Sequence, residues 1–307
     1  MNSQQGRESK TLNAFTIDVE EHFQVAAFAR EVARDQWPSL ESRVRKNTAS
    51  LLDLLDEVGV RATFFVLGWV AEREPGLVRE IAARGHEVGS HGYSHRLVYE
   101  QSPAEFRLET ERSRRILQDA SGQAVLGYRA ASFSIVRSSL WALDVLVEAG
   151  FGYDSSVFPV VHDRYGIPGA PRGIHVRKTP AGMELLEFPP STVAVGRFRL
   201  PVAGGGYLRL LPWAVSRWAI GRLNRRDRMP AMVYVHPWEI DPDQPRIRGT
   251  LPNQLRHYTG LRSMRDKLGD LLRTFRFAPV VDTLAAAGFS VPWTEPAPAQ
   301  RNGPASR

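Results

Sequence analysis

Short apolar segments alternate with longer segments of helical spacing along most of this 307-residue chain. The apolar runs predict strands at 12–19, 61–67, 87–90, 125–128, 151–153 and 232–235. Apolar residues at three- and four-residue spacing between them predict helices at 51–58, 76–84, 103–118 and 138–149. Strands that alternate with helices are typical of βα units with parallel strands. The pattern therefore predicts one α/β domain with a barrel-like core.

The alternation is weaker in the second half of the chain. Proline and glycine interrupt residues 160–206, where a hairpin is predicted between Gly173 and Val195. We interpret this stretch as an insertion that shapes a substrate site, although a structural extension of the sheet would have the same pattern. The segment 211–223 places tryptophans beside arginines, as membrane-surface helices do, but we favour a helix that packs on the barrel. Residues 267–287 predict a last helical region.

Five polar side chains each stand at the end of a different predicted strand: Asp18, His91, Arg129, Asp154 and His236. The carboxyl ends of parallel strands meet on one face of a barrel, and barrel enzymes carry their sites on that face. The sequence therefore predicts that these five side chains converge on a single site.

Two of the predicted strand ends carry groups that bind metal ions. His91 and His95 are four residues apart and can face one ion if the segment between them turns helically. Asp18 and Glu20 are two apart on an extended segment, so both carboxylates point the same way. One carboxylate can bind the ion while the other takes a proton, and two histidines with one carboxylate leave positions open for water. The alternatives are two structural histidines and a solvated acidic strand end.

His236 follows the late predicted strand, with Trp238 behind it. An imidazole has an ordinary pKa of about 6.5, which suits a general acid, although a structural histidine is the alternative. His22, close to the acidic strand end, remains undecided. Four other histidines lack such a context and are expected to be structural or at the surface: His86, His162, His175 and His257.

Composition limits the remaining possibilities. The chain has no cysteine, which excludes disulfides and thiolate metal ligands. Its 40 Lys and Arg exceed its 33 Asp and Glu, but no dense basic block is present, so we expect a solvated basic surface and no nucleic-acid partner. The N-terminus lacks the apolar stretch of a secretory signal, and no apolar run reaches the ~20 residues of a transmembrane segment. We expect a soluble, cytoplasmic protein with disordered tails at 1–10 and 294–307.

The segment from Arg84 to His95, RGHEVGSHGYSH, resembles the metal-binding motif of the polysaccharide deacetylases, which are carbohydrate esterase family 4 or the nodulation-protein-B homology family. The resemblance covers about residues 12–241. The other family motifs occur in the family's order along the chain, with Asp18 at Thr-Phe-Asp-Asp, Arg129 at Arg-x-Pro-Tyr, Asp154 at Asp-Ser and His236 at Leu-x-His. This resemblance implies a deformed (β/α)7 barrel with a divalent ion, for which Zn²⁺ is the first choice.

The resemblance also implies roles for the site residues. The metal ligands would be Glu20, His91 and His95. Asp18 would be the catalytic base, His236 the general acid that protonates the leaving amine, and Arg129 and Asp154 the residues that hold base and acid. We further expect Phe133 and Trp238 to contact the substrate. An ion at such a site activates water and polarises the acetyl carbonyl.

The chain departs from the family pattern at three places. Val19 stands where the first motif has its second aspartate, so the metal carboxylate is assigned to Glu20, and Asp18 remains open as the ligand. The arginine motif lacks its proline, and its aromatic residue is displaced to Phe133, which predicts a reshaped groove. Gly92 replaces the usual Ser or Thr between the histidines, which predicts a looser loop.

Three strings resemble the branch of the family found with exosortase and exopolysaccharide clusters: FTIDVE at 15–20, YDSSVFP at 153–159 and HPWE at 236–239. A distinctive C-terminal region follows the deacetylase motifs in that branch, and residues 160–289 fit it within a single barrel domain at 11–293. The resemblance implies removal of N-acetyl groups from a bacterial exopolysaccharide or its lipid-linked precursor. The alternatives are an amidase acting on a small cyclic amide such as allantoin, a glycosidase, and a catalytically inactive glycan-binding protein.

Overall fold

The computed structural model describes residues 11–162 and 164–292, so the tails predicted at 1–10 and 294–307 lie outside the described residues. The strands are β1 (Asn13–Val19), β2 (Thr63–Val66), β3 (Glu87–Ser90), β4 (Gly127–Tyr128), β5 (Tyr153–Asp154), β6 (His175–Lys178), β7 (Glu184–Glu187), β8 (Thr192–Val195), β9 (Phe198–Pro201), β10 (Met232–Val235) and β11 (Phe277–Ala278). The α-helices are α1 (Val44–Val58), α2 (Gly68–Arg73), α3 (Pro75–Ala83), α4 (Pro103–Ser121), α5 (Ala142–Glu148), α6 (Gly205–Leu210), α7 (Trp213–Arg222), α8 (Leu251–Tyr258), α9 (Leu261–Thr274) and α10 (Val280–Ala286).

Seven parallel strands form a curled sheet in the order β10-β1-β2-β3-β4-β5-β7. The antiparallel strand β6 continues this sheet beyond β7, and the short β11 pairs with the start of β1. This arrangement is the predicted deformed (β/α)7 barrel. The hairpin of β8 and β9 forms a separate two-stranded sheet.

The strands are buried because helices cover the outside of the sheet while side chains fill its interior. All seven residues of β1 are buried, and their side chains alternate between these two layers. Phe15 and Ile17 join the outer core, to which α1 contributes Leu51 and Leu55, whereas Ala14 joins an interior cluster. The same alternation decides which polar residues of β1 face into the barrel.

Local signals at the helix ends match the structure. Gly59 follows α1 with a φ of 65°, a left-handed conformation that glycine adopts without a steric penalty. At the start of α4, the Ser102 hydroxyl accepts from the Glu105 N–H while the Glu105 carboxylate accepts from the Ser102 N–H, which is a capping box. No helix in the described part of the chain is long and apolar enough to cross a bilayer.

The prediction for the second half of the chain is partly wrong. The predicted hairpin exists as β6 and β7, but β7 pairs in parallel with β5, so this stretch extends the sheet. A second hairpin, β8 and β9, was not predicted. The single helical region expected at 267–287 is two helices, α9 and α10, separated by β11, because Phe277 and Ala278 pair with β1 and Pro279 follows.

Candidate metal centre and active site

The interior face of β1 carries the acidic groups of the site. Because side chains alternate along a strand, Thr16, Asp18 and Glu20 point into the barrel while Ile17 and Val19 pack against the outer core. Asp18 and Glu20 are each only 2% exposed. Burial of two carboxylates is costly unless each has a positive or hydrogen-bonding partner, so their partners define the site.

The strand register brings the other polar groups to the same level. Val66 of β2 pairs with Ser90 of β3, and Ser90 pairs with Tyr128 of β4, so His91 and Arg129 follow side by side. On the other side of β1, Ile17 pairs with Val235 of β10, and His236 therefore lies beside Asp18.

Glu20, His91 and His95 bring three metal-ligating atoms within 4.8 Å of one another. Glu20 Oε2 lies 2.8 Å from His95 Nε2 and 3.8 Å from His91 Nε2. This oxygen is buried, and no partner with hydrogen-bond geometry is found for it in the residues that the structure describes. A buried anionic oxygen without a hydrogen bond, beside two imidazole nitrogens, matches the donor set of a divalent cation such as Zn²⁺.

The sequence suggested a helical turn between His91 and His95, but the structure has no helical turn there. The segment between them is a loop in which Gly92 has a φ of 77° and His95 a φ of 51°. Gly92 does not loosen this loop, because its N–H donates to Ser90 Oγ and its carbonyl accepts from the Gly68 N–H and from Ser113 Oγ. Two left-handed residues and these hydrogen bonds, rather than helical periodicity, turn both imidazoles toward Glu20.

Neighbouring groups orient the donor atoms. The Nδ1 of His91 lies 2.9 Å from the Arg129 carbonyl oxygen, so Nε2 is the nitrogen directed at Glu20. The indole N–H of Trp238 donates to Glu20 Oε1 at 3.3 Å. Burial lowers the pKa of His91 to about 4, which keeps the imidazole in the neutral form that binds metals. Burial would raise the pKa of Glu20, but the charge and close contact of His95 and the charge of His236 outweigh it and lower that pKa to about 2.

Asp18 is held by a fully buried arginine. Arg129 Nη1 donates to Asp18 Oδ1 at 2.6 Å and to Thr16 Oγ1 at 2.8 Å, while Nη2 donates to Ser155 Oγ at 3.0 Å. The guanidinium also lies over the ring of Phe65, with its carbon 4.2 Å from the ring centroid. These contacts fix the Asp18 carboxylate beside the three metal-ligating side chains.

His236 has a different partner from the one expected. Its Nε2 lies 3.7 Å from Glu20 Oε1 and 4.0 Å from Asp18 Oδ2, while Nδ1 lies 3.3 Å from Glu239 Oε2. Burial alone would lower the pKa of His236, but Glu239, Glu20 and Asp18 raise it to about 9. The imidazole is therefore protonated at neutral pH.

Glu239 is itself held by Arg209 of α6. The Arg209 Nε donates to Glu239 Oε1 at 2.9 Å, and both side chains are buried. Burial raises the pKa of Glu239, but the charge of Arg209 and the contact with His236 outweigh it and lower the pKa to about 2. Gly205 makes room for this carboxylate, because a Cβ at that position would overlap it. Sequence reasoning missed Glu239 and Arg209, although His236 and Glu239 have the three-residue spacing of a capping box.

In the part of the chain that the structure describes, the hydrogen bonds of the Asp154 carboxylate are not to His236, so its expected role in holding the acid gains no support from its contacts. It lies in β5, whereas His236 follows β10 on the other side of β1. The Asp154 carboxylate accepts from the N–H and the hydroxyl of Ser156. It also lies near Glu187, whose pKa is raised by burial and by the negative charge of Asp154.

The two aromatic residues expected to contact substrate are largely buried. Phe133 is 6% exposed and packs with Phe158, Tyr165 and Tyr234 beneath the reshaped arginine motif, where Ser132 and Phe133 both have positive φ. Trp238 is also 6% exposed and stacks on the rings of His236 and His257. Both therefore shape and support the walls of the site.

Two further histidines lie outside the donor cluster. The ring of His22 faces Glu21, with 3.8 Å between Nδ1 and Oε2. His86 is buried away from the site, and its Nδ1 accepts from the Ala62 N–H.

The fold and the site together define a deformed parallel barrel with a candidate metal centre at the carboxyl ends of its strands. The family model described as "Polysaccharide deacetylase" matches residues 35–150, and the model described as "Domain of unknown function (DUF3473)" matches residues 155–285. A chitooligosaccharide deacetylase of Sinorhizobium fredii is 30% identical over 153 residues, which cover 48% of this chain and 69% of that protein. This chain belongs to the polysaccharide deacetylase family, carbohydrate esterase family 4.

Other relatives match more narrowly. A peptidoglycan-N-acetylglucosamine deacetylase of Bacillus cereus is 35% identical over 111 residues, which cover 36% of this chain and 38% of that protein. The chain thus spans only about two fifths of the length of the first curated relatives it matches. Among solved structures, a Mycobacterium smegmatis protein described as a polysaccharide deacetylase shares the fold with a TM-score of 0.59 and 22% identity, covering 95% of this chain and 96% of that one. The allantoinase PuuE shares it with a TM-score of 0.59 and 16% identity, covering 93% of each chain.

Proposed function

We propose that this chain is a metal-dependent deacetylase that hydrolyses N-acetyl groups on an amino-sugar polysaccharide. One observation carries the proposal: ligating atoms of Glu20, His91 and His95 lie within 4.8 Å of one another, and His236 Nε2 lies 3.7 Å from Glu20 Oε1. Three ligands from one carboxylate and two imidazoles leave coordination positions open, as in hydrolytic metal sites. The named relatives support the substrate class, since they are deacetylases of peptidoglycan N-acetylglucosamine and of chitooligosaccharides.

The proposed ligands are Glu20 Oε2, His91 Nε2 and His95 Nε2, and the ion proposed is Zn²⁺. The unsatisfied oxygen of Glu20 and the neutral His91 fit such an ion. When bound, it would supply the positive charge that activates a water molecule and polarises the acetyl carbonyl. Trp238 and the Arg129 carbonyl keep two of the ligands in orientation.

Asp18 is the proposed base. Arg129 binds one of its oxygens at 2.6 Å, and the other oxygen lies 4.0 Å from His236 Nε2, on the side of Glu20. During hydrolysis, Asp18 takes the proton from the water that attacks the acetyl carbon. Because the guanidinium is buried and anchored by Thr16 and Ser155, the carboxylate needs no reorganisation to do so.

His236 is the proposed acid. Glu239 binds Nδ1 of the imidazole, so the proton on Nε2 faces the site. When the carbon–nitrogen bond breaks, Nε2 gives this proton to the leaving amine, and the products are acetate and a free amino sugar. The raised pKa of His236 keeps this proton in place at neutral pH.

We further propose that the substrate is a bacterial exopolysaccharide or its lipid-linked precursor. The support is the resemblance of the strings at 15–20, 153–159 and 236–239 to the branch of the family found with exosortase clusters. In the structure, the segment 155–285 is the part that contributes His236, Glu239 and Arg209 to the site.

Acetate release from N-acetylglucosamine oligomers, from an N-acetylated bacterial exopolysaccharide and from peptidoglycan tests the proposal, with allantoin hydrolysis measured in parallel. We expect chelation to abolish acetate release and added Zn²⁺ to restore it. His91→Ala should lose both the metal and the activity, whereas His175→Ala, on β6, should lose neither. Full activity after chelation would refute metal dependence and favour a glycosidase-like or other hydrolysis. A bound metal in His91→Ala would overturn the site, and allantoin hydrolysis without acetate release would overturn the substrate class.

A further inference from the structure

The net positive charge of this chain is concentrated in one segment. Residues 188–230 contain eight arginines, no lysine and one aspartate, and this excess of seven equals the +7 of the whole chain. The other residues balance, with 32 basic and 32 acidic side chains. The one aspartate, Asp227, is paired with Arg172 from outside the segment at 2.7 Å. Although the sequence has no dense basic block, residues 188–230 therefore form a strongly cationic region.

The same segment exposes large apolar side chains on the β8–β9 hairpin. Val195 pairs with Phe198 and Val193 with Leu200, so these four side chains lie on one face of the hairpin. Val193 at the base of that face is fully buried, whereas Val195, Phe198 and Leu200 are 44%, 59% and 47% exposed. The hairpin thus has an anchored base and an apolar tip that faces solvent.

Helix α7 continues this surface. Its inner face is buried through Ser216, Ala219 and Ile220, while Trp218 is 49% exposed on the outer face. Arg222 joins the two elements, because its Nη2 donates to the Ala194 carbonyl in β8 at 3.0 Å and its guanidinium lies 5.8 Å from the Trp218 ring. The helix therefore packs on the barrel and still presents an aromatic side chain beside the hairpin tip.

We define the cationic flank as Val195, Arg197, Phe198, Leu200, Val215, Arg217, Trp218, Arg225 and Arg226. Within the described residues, none of its four arginines forms an ion pair within 4 Å. Their charge is therefore available to an anionic partner.

We infer that the cationic flank binds the surface of an anionic lipid bilayer. Arginines attract anionic headgroups, and exposed Phe, Trp, Val and Leu side chains among them enter the boundary between headgroups and acyl chains. An acidic polysaccharide would use the arginines alone, so the apolar tip favours the bilayer. β8 begins at the amino end of β10, where the Met232 N–H donates to Ser191 Oγ, whereas His236 follows the carboxyl end of β10. The carboxyl ends of the strands, where His236 lies, would stay clear.

Vesicle sedimentation tests this inference with the full chain, using phosphatidylcholine vesicles with and without phosphatidylglycerol. We expect binding to the anionic vesicles that weakens with salt, and little binding to phosphatidylcholine alone. Arg225→Gln/Arg226→Gln should weaken that binding by about 30-fold, since each arginine near an anionic surface contributes about one kcal/mol. Phe198→Ser/Trp218→Ser should weaken it by about tenfold or more.

The matched control is Leu108→Ser/Arg115→Gln on α4, where both side chains are exposed outside the flank, and it should bind like the unmodified chain. No binding to anionic vesicles, or an equal loss in the α4 control, would overturn the inference. Binding that survives Phe198→Ser/Trp218→Ser and is competed by polygalacturonate would also overturn it, since the flank would then bind acidic polymers. All three variants should release acetate from soluble oligomers normally, so a failure here is distinguishable from a failure of the proposed chemistry.

Discussion

The roles of Asp18 and Glu20 are separable by one pair of substitutions, Asp18→Asn and Glu20→Gln. The two carboxylates lie on the same face of β1, but their partners differ: Asp18 binds Arg129 at 2.6 Å, whereas Glu20 Oε2 lies 2.8 Å from His95 Nε2 without a hydrogen bond. We expect Glu20→Gln to lose the metal and Asp18→Asn to keep it.

The structure sets the size of each effect. Loss of an outer-sphere contact to a metal ligand already costs about 10–100-fold in affinity, so loss of the charged ligand Glu20 should cost more than about 100-fold. Asp18→Asn should lower kcat by about 10²–10⁴-fold, as expected for a lost general base. Asp18→Asn also leaves the guanidinium of Arg129, which is 0% exposed, without its anion. This unpaired buried charge should destabilise the fold by about 3 kcal/mol and lower Tm by roughly 5–10 °C.

Metal analysis after dialysis, acetate release and thermal unfolding measure these three quantities on the same preparations. The control is Asp18→Asn/Arg129→Met, which removes both charges and should recover stability relative to Asp18→Asn without recovering activity. A metal-free Asp18→Asn, or a Glu20→Gln that retains stoichiometric metal, would show that the assignment of the two carboxylates is reversed.

Three further predictions concern buried groups. Glu239→Gln removes the anion that holds His236 protonated, so the pKa of His236 should fall from about 9. The high-pH limb of the kcat profile should then move to lower pH by about one unit or more, while the metal content stays the same. A limb that does not move would contradict this prediction. Gly205→Ala should reproduce that profile because its Cβ would displace Glu239, whereas Gly206→Ala, whose Cβ would make only an ordinary contact at 4.0 Å with Arg209 Nη2, should not. Burial lowers the pKa of His86 to about 4, so unfolded chains bind a proton that the fold excludes; the contribution of His86 to stability should drop by about 3 kcal/mol between pH 6.5 and 4, and urea unfolding of His86→Asn should show an acid-side drop that is smaller by this amount.

The features that could be predicted from the sequence are those that follow from strand periodicity and parallel register. Alternation in β1 is visible as apolar and polar letters, and it places Asp18 and Glu20 on one face whatever surrounds them. Equivalent strand ends then bring His91, Arg129 and His236 to the same level. No long-range information was needed for either step.

The features that could not be predicted depend on loops and on contacts between distant elements. The route from His91 to His95 depends on left-handed backbone at both Gly92 and His95, and only the glycine marks it in the sequence. The contact of His236 with Glu239 depends on Arg209 of α6, which holds the carboxylate of Glu239 and comes from a distant part of the sequence. The two-residue strand β11 pairs with Asn13 and Ala14 at the start of β1, before β2 begins to pair at Thr16, so its position depends on a distant strand and no local pattern indicates it.

The pairing of β1 with β10 has a consequence for how the chain matures on the ribosome. Thr16 Oγ1 donates to the Val233 carbonyl, which is 217 residues further along the chain. One edge of β1 therefore cannot pair until the last quarter of the polypeptide has left the ribosome. Such distant pairings slow folding and leave an unpaired strand edge exposed in the meantime. We expect a fragment that stops near residue 150 to aggregate rather than to fold as a smaller unit. The nascent chain would then depend on holding factors until residues 232–235 are made.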